Sequence, residues 1–90
     1  MEENKYLIDF KERLKEIDII ENIHYTVTKD LIDNKYVIET IAYNWKLTVF
    51  VIFGMIFHFS NRKWITNYNY MYIMKTHVSV TFNDGSVETN

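Results

Sequence analysis

Apolar residues in the first quarter of the chain recur at helical spacing. Leu7, Phe10, Leu14 and Ile17 are three or four positions apart and form one stripe, which predicts an amphipathic helix over residues 2–22. Lys5/Asp9 and Asp9/Arg13 are opposite charges four apart, Glu2 and Glu3 stand at the favourable N-terminal pole, and Asn22 offers a stop. From residue 24 onward the pattern reads as strand. Tyr25 and Val27 alternate with Thr26 and Thr28 up to Lys29, Asp33–Asn34 marks a turn, and residues 35–43 follow as a second strand. Residues 45–59 are dominated by Val49, Phe50, Val51, Ile52, Phe53, Ile56, Phe57 and Phe59. That run of β-branched and aromatic side chains reads as a long buried strand, bent or bulged at Gly54. Ser60–Asn61 turns into a strand over 63–74, residues 77–82 form another, and Asn83-Asp84-Gly85-Ser86 is a strong hairpin signal. The expected fold is α+β: one domain over residues 1–90, its N-terminal helix on one face of a four- to five-stranded antiparallel meander. Phe53 and Phe57 are expected in the core, and Arg62 and Trp64, leaving a turn, on the surface.

Composition narrows the class. Ninety residues suffice for one core. A hydrophobic fraction of 48% with a net charge of −2 belongs to a folded chain. The chain has no cysteine, which removes disulfide scaffolds, thiolate zinc sites, iron–sulfur clusters and cysteine nucleophiles. With no proline and two glycines, it also lacks a glycine-rich phosphate loop. Ile, Asn, Lys, Tyr and Phe make up 42 of the 90 residues, while alanine occurs once, at Ala42. Those five have AT-rich codons, so an AT-rich bacterium, phage or mobile element is the expected source. Residues 47–59 carry no formal charge but are thirteen long, against about twenty for a membrane span. The acidic start Met1–Lys5 differs from the basic start of a secretory leader. The expectation is no membrane partner and a cytoplasmic location in the bacterial host cell.

Catalytic and metal chemistry find little support. His24, His58 and His77 are separated by gaps of 34 and 19 residues, without metal-binding spacing. Asp30 and Asp33 flank a turn that favours aspartate for backbone reasons, with Glu39 nearby. Ser60, Ser79 and Ser86 lack a nucleophile-elbow context. The expectation is a non-enzymatic protein without metal or cofactor.

Surface chemistry points to binding. Between Thr40 and Asn83 there is no acidic residue, whereas Lys46, Arg62, Lys63 and Lys75 are positive. If residues 64–74 form a strand, Trp64, Thr66, Tyr68, Tyr70, Tyr72 and Met74 share one face, opposite Ile65, Asn67, Asn69, Met71 and Ile73. Trp, Tyr and Arg are the usual anchors of protein interfaces, so Arg62, Lys63, Trp64, Tyr68 and Tyr70 are the candidate partner-binding residues. An alternative is an acidic helix face through Glu12, Glu16 and Glu21, with Asp18, acting by charge mimicry. The expected function is that of a small inhibitor encoded by a phage or mobile element, of the anti-CRISPR or anti-defence kind, occluding a host protein or protein–nucleic acid complex. Two alternatives are a single-stranded nucleic-acid binder stacking bases on the aromatic strand and a homo-oligomeric small-ligand binder. Direct nucleic-acid binding is not expected at a pI near 5.9. Large apolar groups on both faces of the last strands predict a homodimer through the helix-free face or a sheet edge.

Overall fold

The computed structural model describes residues 4–30, 35–41, 45–72 and 76–85, with the side chains of Trp45, Met71, Tyr72 and Thr76 left aside. It is an α+β fold with two helices and four antiparallel strands among the described residues: α1 (Lys5–Glu16), β1 (Tyr25–Asp30), β2 (Lys35–Thr40), α2 (Trp45–Asn61), β3 (Ile65–Tyr72) and β4 (Thr76–Phe82). The strand order is β1-β2-β4-β3. Two hairpins, β1–β2 and β3–β4, are therefore joined by α2, and β4 inserts between β2 and β3. The connectivity departs from a meander at that point.

The largest departure from the sequence reading is α2. Residues 45–59, expected as a strand, are helical. β-Branched and aromatic residues cost a helix only a few tenths of a kcal/mol each, and burial readily outweighs that. Val49, Ile52, Ile56 and Phe59 recur at three- and four-residue spacing and are all buried. The period is genuine. It is hidden in the sequence because positions on the opposite side are apolar as well.

α1 begins where Asn4 caps it: the Asn4 Oδ1 accepts from the Tyr6 N–H at 2.8 Å, and its Nδ2 donates to the Asn83 carbonyl at 3.0 Å. One side chain thus fixes the helix start to the end of β4. The helix stops at Glu16, well short of Asn22. Asp18 is left-handed with φ 64°, its N–H donates to the Lys15 carbonyl, and the Ile19 N–H donates to the Leu14 carbonyl. That is a Schellman ending with aspartate in the place glycine usually takes. α2 ends in the same way, with Lys63 at φ 66°, Lys63 N–H to Ser60 and Trp64 N–H to Phe59. The apolar contact that accompanies this motif is the Trp64 ring set edge-on against Phe59 at 5.1 Å.

Both helices lie on one face of the sheet. Register places Val27 opposite Ile38, Ile38 opposite Val78, and Tyr36 opposite Val80, which in turn faces Tyr68. These residues share a face with Tyr25, Tyr70 and Phe82. Leu7, Phe10 and Leu14 from α1 and Ile52, Ile56 and Phe59 from α2 join them in one core. Phe10 meets Phe59 at 5.3 Å and Phe82 at 5.7 Å, both edge-on. The ladder shifts between Ile65 and Asn67, so Thr66 is an extra residue and Ile65 turns inward opposite Phe82. Ile65, expected on the helix-free side, is therefore buried.

The opposite face is polar. It presents Thr26, Thr28, Val37, Glu39, Asn67, Asn69, His77, Ser79 and Thr81; of the apolar residues expected there, Ile65 is turned inward, and the Met71 side chain and Ile73 lie outside the described residues. Ile73 and Met74, the expected turn at Asp33–Asn34 and the residues after Gly85 lie outside the described residues. Of the last turn, the Gly85 N–H donating to the Asn83 Oδ1 at 2.8 Å is described.

Two substitutions test this backbone account by urea unfolding. Lys63→Gly removes a left-handed non-glycine residue and is expected to stabilise by about 1 kcal/mol. Gly54 sits mid-helix, where an added Cβ meets nothing within 4 Å, so Gly54→Ala is expected to add about 0.5–1 kcal/mol. If Gly54→Ala destabilises, residues 45–61 are not a helix.

Candidate docking surface

The site must be built from α2, because its two sides are both apolar and only one can face the core. The outward stripe runs Leu47, Phe50, Gly54 and Phe57, positions three and four apart. Leu47 is 59% exposed, Phe50 80% and Phe57 60%. Phe57 is thus a surface residue, against the expectation that it is core; Phe53 is half-buried. Val51 and Phe53 flank the stripe as half-buried apolar residues. At full side-chain areas of about 200 Å² for groups of this size, the three exposed residues present roughly 400 Å² of apolar surface. The stripe lies wholly within the acid-free segment between Thr40 and Asn83. At its C-terminal end stand Arg62 and Lys63, both exposed.

The residues singled out from sequence fall into two groups. Arg62, Lys63 and Trp64 come together at the end of α2, but Trp64 is half-buried and enclosed. Tyr6 stacks on it at 6.1 Å, and Phe59 and His58 meet it edge-on at 5.1 and 5.9 Å. The Arg13 guanidinium lies 5.2 Å and that of Arg62 5.7 Å from its ring centre. Arg13 is itself fixed by the Asp9 carboxylate, with both oxygens 3.2 Å from its Nε. This is a structural clasp between α1, α2 and the start of β3, whose exposed rim is Arg62 and Lys63. Tyr68 and Tyr70 do share a face, the covered one. Tyr70 packs on Phe53 at 4.1 Å and on Tyr68 at 5.3 Å, and both tyrosines are half-buried. Of the aromatic strand that a single-stranded nucleic acid would need as a stacking platform, Tyr70 is already packed against α2 through Phe53.

The acidic alternative is diluted by cations. Glu12 and Glu16 are exposed on α1, but Glu21 pairs with Lys11 at 3.1 Å. Glu12, Glu21, Lys11 and Lys15 line one cleft of about 230 Å³ together with Ile20 and Tyr25. Lysines are thus interleaved among the carboxylates of this patch. Tyr25 sits at the floor of this region with its hydroxyl fully buried and without a hydrogen-bond partner among the described residues. Burial, followed by the charge of Glu21, pushes its phenol above the usual tyrosine value.

The histidines are dispersed. His24 Nδ1 accepts from the Ile20 N–H at 2.9 Å, His58 packs among Phe59 and Trp64, and His77 Nε2 lies 3.5 Å from Glu39 on the helix-free face. Among the described residues no three His, Cys, Asp or Glu side chains converge on a metal position. No helix of the described residues is long and apolar enough to cross a membrane. Compared with known proteins, the chain matches no family model, no curated protein and no solved structure.

Sequence reasoning missed Leu47, Phe50 and Phe57. The signal was present: both halves of an apolar run followed a helical period, and thirteen uncharged residues are more than one buried helix stripe uses.

Two substitutions separate structural from surface roles. Trp64→Ala is expected to cost about 2–3 kcal/mol of stability, because it empties a site packed by three rings and two cations. A loss below about 0.5 kcal/mol returns Trp64 to the surface class. Tyr25→Phe keeps the ring and removes a buried hydroxyl with no described partner, so at neutral pH it is expected to be neutral or stabilising by up to about 1 kcal/mol. The sign of the pH effect follows from the raised native pKa. Stability is fully present below the ordinary tyrosine value of 10.0 and falls as pH rises beyond it. Tyr25→Phe should flatten that alkaline loss; an unchanged profile removes Tyr25 as its cause.

Proposed function

We propose that this protein acts by binding, without catalysis, and that the outward face of α2 is its contact surface. The reading follows the inhibitor class expected from sequence: a phage- or mobile-element-encoded protein that occludes a host protein or protein–nucleic acid complex in the bacterial cytoplasm. One observation carries the location of the surface. Leu47, Phe50 and Phe57 stand exposed in line on one rigid helix. Monomeric proteins leave large apolar groups in such a contiguous arrangement mainly where something else covers them. Arg62 and Lys63 supply the polar, cationic rim that surrounds interface anchors. Arg62 and Lys63 thus keep the place proposed from sequence, while Trp64 becomes the support that holds them and the energetic centre moves to Phe50.

The partner chemistry that fits is an apolar groove or helix face with acidic margins, because α2 and its flanks bring cations and no acid. The test is quantitative capture from host lysate by the immobilised protein, compared with a Phe50→Glu, Phe57→Glu double variant and a Thr28→Glu control on the polar face. The expected result is a loss of about 30-fold or more for the double variant and parent-like capture for the control. Parent-like capture by a folded double variant overturns the assignment of the surface.

A further inference from the structure

The fold gives the Tyr25 hydroxyl nothing to bond. Tyr25 is 0% exposed, and its oxygen is buried without a hydrogen-bond partner among the described residues. A buried hydroxyl left unpaired destabilises the folded state, and phenylalanine would fill the same core position without that loss. Tyr25 also lines the cleft of about 230 Å³ whose other walls are Lys11, Glu12 and Lys15 of α1 together with Ile20 and Glu21. None of these residues belongs to α2, so the cleft is independent of the face proposed above for partner contact.

The wall facing α1 is fixed by its backbone. The Ile20 N–H donates to the His24 Nδ1 at 2.9 Å, and the Ile20 carbonyl accepts from the Ile23 and His24 N–H groups at 3.2 and 2.8 Å. Asn22 is left-handed at φ 70°, its N–H donates to the Tyr25 carbonyl, and Glu21 forms a bridge with Tyr25. Ile20 and Glu21 are therefore held in place, as in the largely pre-formed sites that take small molecules. Across the cleft the Lys11 Nζ meets the Glu21 Oε1 at 3.1 Å, with the two side chains only 18% and 29% exposed. Glu12 and Lys15 stand exposed at the rim.

This lining specifies a ligand. Burial and the nearby charge of Glu21 both oppose ionisation of Tyr25, so the phenol keeps its proton and offers it to an acceptor oxygen. An anion entering alone sets a like charge against Glu21, and a cation entering alone does the same to Lys11; a partly buried charge parted from its counterpart is costly. A molecule carrying both signs re-partners each half of the ion pair. The cleft, about 230 Å³, exceeds the roughly 150 Å³ that admits a benzene ring and falls short of the roughly 300 Å³ at which drug-sized pockets begin. We propose that it binds a small zwitterion of the amino-acid class with an apolar side chain. The carboxylate accepts from the Tyr25 hydroxyl and pairs with Lys11, the ammonium pairs with Glu21, and the side chain lies on Ile20. Lys15 and Glu12 repeat the two charges at the rim.

The probe is L-leucine, titrated to about 20 mM into the isotope-labelled full chain at neutral pH. Amide chemical shifts report binding, and circular dichroism verifies that each variant is folded. The expected result is saturation with a dissociation constant of about 1 mM or below, its shifts confined to residues 11–15 and 20–25. Isocaproate, which lacks the ammonium, and isoamylamine, which lacks the carboxylate, are expected to bind about tenfold more weakly or worse. Tyr25→Phe, which keeps the fold, is expected to weaken leucine about tenfold, and Glu21→Gln by a similar factor. The Phe50→Glu, Phe57→Glu variant is expected to bind leucine as the parent does, so failure here and failure of the α2 reading are separate results. No saturable shift up to about 20 mM overturns the proposal, as do parent-like binding by Tyr25→Phe and shifts centred on α2. Isocaproate binding as tightly as leucine overturns the zwitterion class in favour of a simple carboxylate, and isoamylamine doing so overturns it in favour of an amine.

Discussion

Everything in this fold depends on a helix that is apolar all round and can bury only one side. Val49, Ile52, Ile56 and Phe59 close over the sheet, and together with Leu7, Phe10 and Leu14 they use up its covered face. The consequence reaches the strands. Tyr70 serves as flooring for α2 under Phe53, Ile65 is turned inward by a bulge opposite Phe82, and the outer face is left mainly to polar side chains. A chain with a polar outer side on α2 could keep the same core. What it could not keep is Phe50 standing 80% exposed.

The C-terminal end of α2 shows how tightly that helix is held in register. A Schellman turn with Lys63 in the left-handed region closes it, and Trp64 locks the turn by packing on Phe59. Arg13 then reaches across from α1 to cover both rings at 5.6 and 5.2 Å, with Asp9 aligning it. At the other pole of α1, Asn4 ties the helix start to the carbonyl of Asn83, while the Asn83 amide donates to the Lys63 carbonyl. Two asparagines and one arginine thus join α1, the α2 terminus and the end of β4. A rigid platform follows, and rigidity lowers the entropic loss when a surface is covered.

How much of this was legible in sequence depends on contrast between faces. α1 and the β1–β2 pair were readable because Leu7, Phe10 and Leu14, or Tyr25 and Val27, alternate with polar residues at a clear period. The stop at Asp18 was not, because glycine is the usual mark of a left-handed end and aspartate is not distinctive there. α2 was misread for lack of a polar side: with both faces apolar, the period of 3.6 disappears into a continuous run that resembles a buried strand. The same loss of contrast concealed the site. Arg62, Lys63 and Trp64 were found from residue type, which reveals chemistry but not which ring is already enclosed. Tyr68 and Tyr70 were correctly placed on one face of β3. Which side α2 would cover depended on α2 being a helix at all.

Among the described residues, the exposed stripe contributes nothing to the buried core. Leu47, Phe50 and Phe57 lie outside the buried core, so polar residues at these positions cost the fold little. Glycine at position 54 costs the helix about 1 kcal/mol relative to alanine, with nothing nearby that requires the space. Four consecutive outward positions of one helix therefore carry choices that lower solubility or stability of the isolated domain. They fall within the one long stretch of sequence free of acids, between cations at both ends. A single hydrophobic surface residue needs no explanation, and a single helical glycine needs little. Four in register on a clamped helix are the observation that supports reading the outward side of α2 as a contact surface.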